Sequence, residues 1–323
     1  RIDYKDDSKG ALLLEPTRSN LIKSSGDIST QSTYWLPNQG GTSVQNATTA
    51  PDGSNTASQI NTFSQQYGGI TQGSISVSNT EYTYSVYLKA KNGTPNIRLI
   101  FFDSVTFHSS DFTISSEWKR YDYKFTPVSG SFQIYITCPN VVASFYTWGA
   151  QLEQGSYATS YTPTSGSVVT RVQDACNNGA NEQVINSTEG VLYAEIKGFE
   201  NDNVNRYISL CDGSSLNSIR IFYYNDGETV FFRKVVNNVS AIVSTTTAIN
   251  QSELTKIAIR YDSTSFDIFS NGVKIITNSN SDTFANNTLN TINFTDSNGT
   301  TSPFLGNTKD VRVYNTALTD QEL

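Results

Sequence analysis

With 323 residues, 37% of them hydrophobic, the chain is long enough for about two domains that each bury a core. Only 16% of residues are charged, and the net charge of −7 leaves no basic field for phosphate, so nucleic acid is not an expected partner. No apolar run approaches the roughly 20 residues of a membrane span, so membrane insertion is not expected either. Ser, Thr, Asn and Gly take the place of charge, and aromatics reach 12%, a mixture that favours short strands joined by polar turns.

The first residues, Asp3-Tyr4-Lys5-Asp6-Asp7-Ser8-Lys9, have the look of an aspartate-rich epitope tag, but they run directly into Gly10-Ala11-Leu12-Leu13-Leu14. A first block of strands follows: Tyr82 to Lys89, Ile97 to Phe102, Tyr121 to Phe125, Phe132 to Ile136, and Phe145 to Trp148. Alternating apolar and polar residues between turn signals predict half-buried antiparallel strands, spaced as in a sandwich or jelly roll. Trp35, Trp118 and Trp148 are expected to plug the core. The single histidine, His108, reads as a solvated residue in a polar loop.

Gly155 to Gly166 carries Pro, Gly and Ser without an apolar period and predicts a covering loop leading to a linker, with a boundary near residue 175. The second block holds strands at Val191 to Ile196, Tyr207 to Leu210, Ile219 to Tyr224, Thr229 to Arg233 and Lys256 to Tyr261. Asn271-Gly272 between alternating runs predicts a type I′ hairpin, because both central residues need positive φ. Thr319 to Glu322 has the spacing of a capped terminal turn. Cys138, Cys176 and Cys211 are odd in number and widely spaced, which predicts free thiols and no zinc site.

Gly10-Ala11-Leu12-Leu13-Leu14-Glu15-Pro16-Thr17-Arg18-Ser19-Asn20-Leu21 together with Tyr34-Trp35 resembles the opening of a module common in bacteriophage tail-fibre and other virion-fibre proteins. Trp148-Gly149-Ala150-Gln151-Leu152-Glu153-Gln154-Gly155, followed by Ala158 to Thr164, resembles its close, and the module is similar in plan to jelly-roll carbohydrate-binding modules. The second block resembles the laminin G-like branch of the concanavalin A-like sandwiches, on Tyr207 to Gly213, the Asn271-Gly272 hairpin and the ending Asp310 to Leu323. These likenesses imply an all-β fold, two antiparallel β-sandwich (jelly-roll) domains in tandem, over residues 1–175 and 176–323.

For chemistry, no G-x-S-x-G elbow, H-E-x-x-H pair, P-loop or Glu-x-Asp-x-x-Glu run is present, so no catalytic residue is assigned. Sugar binding needs only aromatic faces and hydrogen-bonding groups. With Tyr82, Tyr84, Val86 and Leu88 inward, Tyr87 and Lys89 point out; with Phe132, Ile134 and Ile136 inward, Gln133 and Tyr135 point out. Arg98 and Phe102 face out on the Ile97 strand. Tyr87, Lys89, Arg98, Gln133 and Tyr135 are therefore the candidates for one exposed glycan platform, or alternatively cross-strand pairs that stabilise a sheet surface. No cofactor is required. The likeness to laminin G-like and jelly-roll sandwiches makes a structural Ca2+ the one candidate, at Asp212, Asp226, Asp282 and Asp296, residues whose favoured reading is as ordinary turn formers.

The resemblance implies a non-catalytic virion fibre fragment, tail or head, at the virion surface and extracellular. Its implied partners are cell-surface or extracellular polysaccharide and other virion proteins, and fibres of this kind are usually homotrimers. The chain is expected to be part of a longer fibre protein. Two other roles suit the same residues: a virion spacer or decoration, and the carbohydrate-binding portion of a secreted bacterial polysaccharidase or adhesin.

Overall fold

The structure, a computed structural model, describes residues 1–4, 8–128, 130–199, 203–245 and 249–323. Among them the regular secondary structure is all strand, arranged as two compact units. One unit is Thr17–Val172; the other combines Arg1–Pro16 with Gln173–Leu323. The division expected at residues 1–175 and 176–323 therefore differs at the start of the chain. Strands β1 (Ile2–Asp3) and β2 (Ala11–Leu14) belong with the second unit, because Leu12, Leu13 and Leu14 pair with Thr308, Asn307 and Gly306. At the start of the tag-like stretch, Asp3 pairs with Ala11, next to Ile2 with Leu12, as part of a sheet, while Lys5, Asp6 and Asp7 lie outside the described residues.

The Thr17–Val172 unit contains β3 (Arg18–Asn20), β4 (Trp35–Asn38), β5 (Thr42–Thr48), β6 (Ala57–Asn61), β7 (Gly69–Val77) and β8 (Tyr82–Ala90). It continues with β9 (Asn96–Phe102), β10 (Phe107–Thr113), β11 (Lys119–Phe125), β12 (Gly130–Thr137), β13 (Ser144–Gln154) and β14 (Val169–Arg171). Two antiparallel sheets form, in the orders β10-β9-β12-β7-β4 and β11-β8-β13-β6-β5. Their facing sides supply the core: Tyr84, Val86, Leu88 and Phe145 from one, Ile97, Leu99, Phe101, Ile134 and Ile136 from the other. Each such side chain, fully buried, contributes about 1.5–3 kcal/mol.

Trp35 is wholly buried in that core and donates Nε1–H to the Ser24 carbonyl at 2.7 Å. The other two tryptophans depart from expectation. Trp148 lies in a satellite cluster with Tyr87, Trp118 and Tyr161 on the outer side of the second sheet, and Trp118 is only half-buried. The cause is strand alternation: with Phe145 inward, Trp148 three residues on faces outward opposite Tyr87, and the β-bulge at Gly149, φ +66, comes only after it.

The segment after β13 covers this outer side, as the sequence predicted. Its anchors are the polar residues of the closing motif. The buried Glu153 carboxylate accepts Thr159 N–H at 2.9 Å and Thr159 Oγ1–H at 2.6 Å, and Gln151 Oε1 accepts Thr162 N–H at 2.8 Å. Asn20, from the opening motif, joins them with every hydrogen-bonding valence occupied. Its Nδ2 donates to Ala150 O and Thr162 O, and its Oδ1 accepts Ile22 N–H and Leu152 N–H. The two motifs at opposite ends of the module are thus one buried hydrogen-bond network.

The second unit carries β15 (Gly190–Gly198), β16 (Arg206–Cys211), β17 (Ser218–Tyr223), β18 (Val230–Val236) and β19 (Val239–Thr245). The last strands are β20 (Thr255–Tyr261), β21 (Phe266–Ser270), β22 (Val273–Asn278), β23 (Thr291–Asn293) and β24 (Gly306–Tyr314). A sheet in the order β1-β2-β24-β15-β20-β21-β22 packs on another in the order β19-β18-β17-β16-β23 around a second core. Asn271 and Gly272 form the predicted turn, with φ of 49 and 81 between paired Ser270 and Val273. A second two-residue hairpin joins β18 to β19 at Asn237-Asn238, φ 47 and 68, where asparagine supplies the left-handed conformation. Thr319 and Glu322 close the expected capped turn, Thr319 N–H donating to Glu322 Oε2 at 2.8 Å. Cys138, Cys176 and Cys211 are free thiols, all with pKa raised by burial.

Asn20→Ala leaves two backbone N–H groups and two carbonyls without their buried partner, so it should destabilise the module by about 3 kcal/mol. Urea unfolding checks this, with Ser19→Ala, which removes one exposed hydroxyl contact, as the comparison of small effect.

Candidate functional site

The five residues proposed for one platform divide between two sheets. Tyr87 and Lys89 project from β8 on the outside of the β11-β8-β13-β6-β5 sheet. Arg98 on β9 and Gln133 and Tyr135 on β12 project from the outside of the other. The outsides of two packed sheets point in opposite directions, so the five cannot meet one ligand. Tyr87 is also engaged: its ring lies 5.6 Å from that of Trp148, and Arg120 sits over it at 5.6 Å. Lys89 is half-buried beside it on the same strand.

The outer face of the β10-β9-β12-β7-β4 sheet does assemble the other three, with partners the sequence reading did not select. Its register places Phe107, Phe102 and Gln133 in one row, Ser109, Ile100, Tyr135 and Thr71 in the next, then Asp111, Arg98 and Thr137. Phe107 stacks on Phe102 with centroids 4.3 Å apart and on Tyr67 with centroids 5.2 Å apart, giving a three-ring column. Phe107 remains 45% exposed. Tyr67 comes from the loop before β7, where its N–H donates to Gln39 Oε1 at 2.8 Å and its carbonyl accepts from Asn38 Nδ2. That loop reaches over the face: Tyr67 is close enough to act electrostatically on both Arg98 and Tyr135.

The polar groups of the face are held in place. Arg98 and Asp111 sit directly opposite each other in register and form a fork, Nε to Oδ1 at 2.5 Å and Nη2 to Oδ2 at 2.7 Å. The hydrogen bond from Arg98 keeps the Asp111 carboxyl below its ordinary range. Such a part-exposed pair adds little to stability, but its bidentate geometry fixes two polar groups beside the rings. Tyr135 Oη donates to Gln133 Oε1 at 2.5 Å, leaving the Gln133 amide NH2 directed away from that contact.

Tyr67 and Phe107 were missed for identifiable reasons. Phe107-His108-Ser109-Ser110-Asp111 is too polar to read as a strand, yet it is β10, a sheet edge with alternating faces. His108 accordingly is not a solvated loop residue. It points inward, stacks on Phe125 with centroids 5.3 Å apart, and bonds Asp103 Oδ2 through Nε2 at 2.8 Å. Tyr67 sits in a Gln-rich loop, and only its packing onto Phe107 brings it to the face.

The four aspartates considered for calcium each serve their own loop. Asp212 accepts from Ser214 N–H, Ser214 Oγ and Asn217 Nδ2; Asp226 from Glu228 N–H and from Thr229 N–H and Oγ1. Asp296 accepts from Thr300 N–H and from Thr301 N–H and Oγ1, and Asp282 from Asn280 Nδ2. These are side-chain-closed turns. Asp212 follows the last residue of β16 and Asp226 lies at the opposite end of the β16–β17 pair. Among the described residues no three His, Cys, Asp or Glu converge as metal ligands.

Residues 183–323 match the Concanavalin A-like lectin/glucanases superfamily. No curated protein matches the chain. Among solved structures it is similar to the CBM40 of the Ruminococcus gnavus IT-sialidase bound to α2,3 sialyllactose, at 19% identity, 42% of this chain, 80% of that one and a TM-score of 0.36. It is similar over 93% of its length to 98% of the CBM22-1–CBM22-2 tandem of Paenibacillus barcinonensis Xyn10C, at 12% identity and a TM-score of 0.35. It is also similar, at 7% identity and a TM-score of 0.32, to mouse laminin α1 chain domains LG4-5, covering 94% of this chain and 89% of that one. With scores this low, the tandem-sandwich assignment rests on this chain's own strand pairing.

Asp103, behind the ring column, gives a pH signature. Its burial favours the neutral acid, but hydrogen bonds from His108, Thr106, Val128 and Val105 outweigh that and hold its pKa far below the ordinary carboxylate range. A depressed carboxyl adds stability that is complete above its unfolded pKa of about 4 and is lost as pH falls toward the folded value. Asp103→Asn should therefore be less stable than the parent at neutral pH, with the gap narrowing below pH of about 4. Melting temperatures across that range check it; a constant gap would contradict the assignment.

Proposed function

We propose that the chain is a non-catalytic glycan-binding protein and that its first sandwich binds sugar on the outer face of the β10-β9-β12-β7-β4 sheet. The observation that carries this reading is the Tyr67–Phe107–Phe102 column, held on the outside of a sheet with Phe107 45% exposed. Rings kept out of the core forgo burial, and a pyranose offers them an apolar face to cover. Around them Gln133, Arg98, Asp111 and Tyr135 provide donors and acceptors for hydroxyl groups, the mix of apolar surface and few placed polar groups that small-ligand sites use.

The placement adopted is that of the carbohydrate-binding portion of an extracellular polysaccharide-processing or adhesive protein. The lectin and glucanase superfamily match of residues 183–323 supports that placement over a virion fibre, for which only the motif resemblance speaks.

The test is binding of the whole chain to an array of plant, bacterial and animal polysaccharides. Phe107→Ala and Tyr67→Ala should each weaken the strongest interaction about three- to tenfold, the worth of one aromatic contact, with little change in melting temperature. Tyr87→Ala should do the reverse: it opens the packing against Trp148 and Arg120, costs about 2 kcal/mol of stability, and leaves affinity unchanged. A folded protein that retains no polysaccharide would overturn the proposal.

A further inference from the structure

The second sandwich carries a different surface on the outside of its β19-β18-β17-β16-β23 sheet. Ile208, Leu210, Ile219, Ile221, Val230 and Phe232 enter the core, so their neighbours along each strand face outward. The register sorts these into rows. Tyr207, Phe222 and Phe231 align across three strands; the next row is Ser209, Arg220, Arg233 and Ile242. The rings form a continuous stack, Tyr207 to Phe222 at 4.1 Å and 10°, Phe222 to Phe231 at 5.4 Å and 26°. Tyr224, 39% exposed, sets its edge against both phenylalanines.

Directly beside this row two arginines stand opposite each other on adjacent strands, an arrangement that destabilises a sheet. Arg220 is only 7% exposed, yet its partners are hydroxyls: Nε donates to Ser218 Oγ and Nη2 to Ser297 Oγ, both at 2.7 Å. Arg233 donates Nε–H to Ser240 Oγ at 2.8 Å. Among the described residues neither has a carboxylate within ion-pair distance. Asp296 acts on Arg220 only from further away, and its oxygens already accept from Thr300 and Thr301. Burial, and then the charge of Arg233, push the Arg220 pKa down, so an anion between the two groups would relieve both costs. The segment at Thr295 and Ser297 forms one wall, its carbonyls accepting from Ser209 Oγ at 2.8 Å and Cys211 Sγ at 3.4 Å.

We infer that this face is a second binding site, for an acidic polysaccharide, in which Arg220 and Arg233 take the carboxylate of a uronate residue while the aromatic row takes pyranose rings. Guanidinium groups match a carboxylate with paired hydrogen bonds. The protein as a whole has a net charge of −7, so a densely sulfated chain or a nucleic acid, which needs an extended basic field, is disfavoured against a polymer with one carboxylate per ring. The site is on the other unit from the Tyr67–Phe107 face and does not depend on that reading.

The experiment is calorimetric titration of the whole chain with polygalacturonate oligosaccharides and with the same oligosaccharides methyl-esterified, which removes the charge and keeps the sugar. Arg233→Gln, at a half-exposed position, should weaken polygalacturonate binding about tenfold and flatten its salt dependence, and the ester should bind no better to the parent than the acid binds to the variant. Phe231→Ala should weaken both ligands, and Phe107→Ala neither. Equal binding of acid and ester, affinity unchanged in Arg233→Gln, loss of binding in Phe107→Ala instead, or tighter binding of heparin or single-stranded DNA than of polygalacturonate would each overturn the assignment.

Discussion

Side chains alternate across a strand, so a sandwich sorts its residues into one core and two outer faces that look away from each other. Everything either unit can present to a ligand is governed by that sorting. In the Thr17–Val172 unit one outer face is spent: Gln151, Glu153 and Asn20 bind the Ala158–Thr164 segment over it, and Tyr87, Trp148 and Tyr161 become part of a packed layer. On the other face, among the described residues, no segment is bound over the rings of Tyr67, Phe107 and Phe102 by a comparable network. The motifs at the two ends of this module are in this sense structural. They hold a covering segment over one face and leave the other open.

Local alternation was legible in the sequence, and so were the β8, β9, β12 and β13 strands and the Asn271-Gly272 turn, because each depends on neighbours a few residues away. Which strands share a sheet depends on pairing between distant segments. Tyr87 and Tyr135 both read correctly as outward, yet opposite sheets carry them. The same limit hid β10, whose serines and aspartate suit an edge strand but give no apolar period, and with it Phe107 and the inward turn of His108. The Asn237-Asn238 hairpin lacks the glycine that marks the Asn271-Gly272 one, although asparagine tolerates the same backbone. The aspartates of the second block illustrate the converse. Their sequence favoured a turn over a metal, and hydrogen bonds from Ser214, Thr229 and Thr301 show oxygens of Asp212, Asp226 and Asp296 closing turns.

Low charge density shapes both faces. With 16% charged residues, few carboxylates are available to neutralise any given arginine by chance, and most of the surface is hydroxyl and amide. Arg98 has its aspartate directly across the strand, whereas Arg220 and Arg233 have serines. Two modules of similar architecture thereby offer chemically distinct surfaces, one electrically closed and one with positive charge left over.

The pairing of β2 with β24 makes the Thr17–Val172 unit an insertion within the other, and this bears on the order of events as the chain leaves the ribosome. Ala11-Leu12-Leu13-Leu14 pairs locally with Ile2–Asp3, but its other partner, Gly306–Tyr314, lies far along the chain and emerges only after the whole Thr17–Val172 unit. A loop of that length would be costly to close in a flexible chain. The inserted unit removes most of that cost, because β3 and β14 pair Arg18 with Arg171 and bring Pro16 and Gln173 to neighbouring ends of one ribbon. Glu15 and Asp174 then exchange hydrogen bonds just beyond it, Glu15 N–H to Asp174 Oδ2 and Asp174 N–H to Glu15 O, each at 2.9 Å. Once folded, the Thr17–Val172 sandwich holds its two flanking segments side by side, so the loop that the β2–β24 pairing must close is far shorter than the sequence separation.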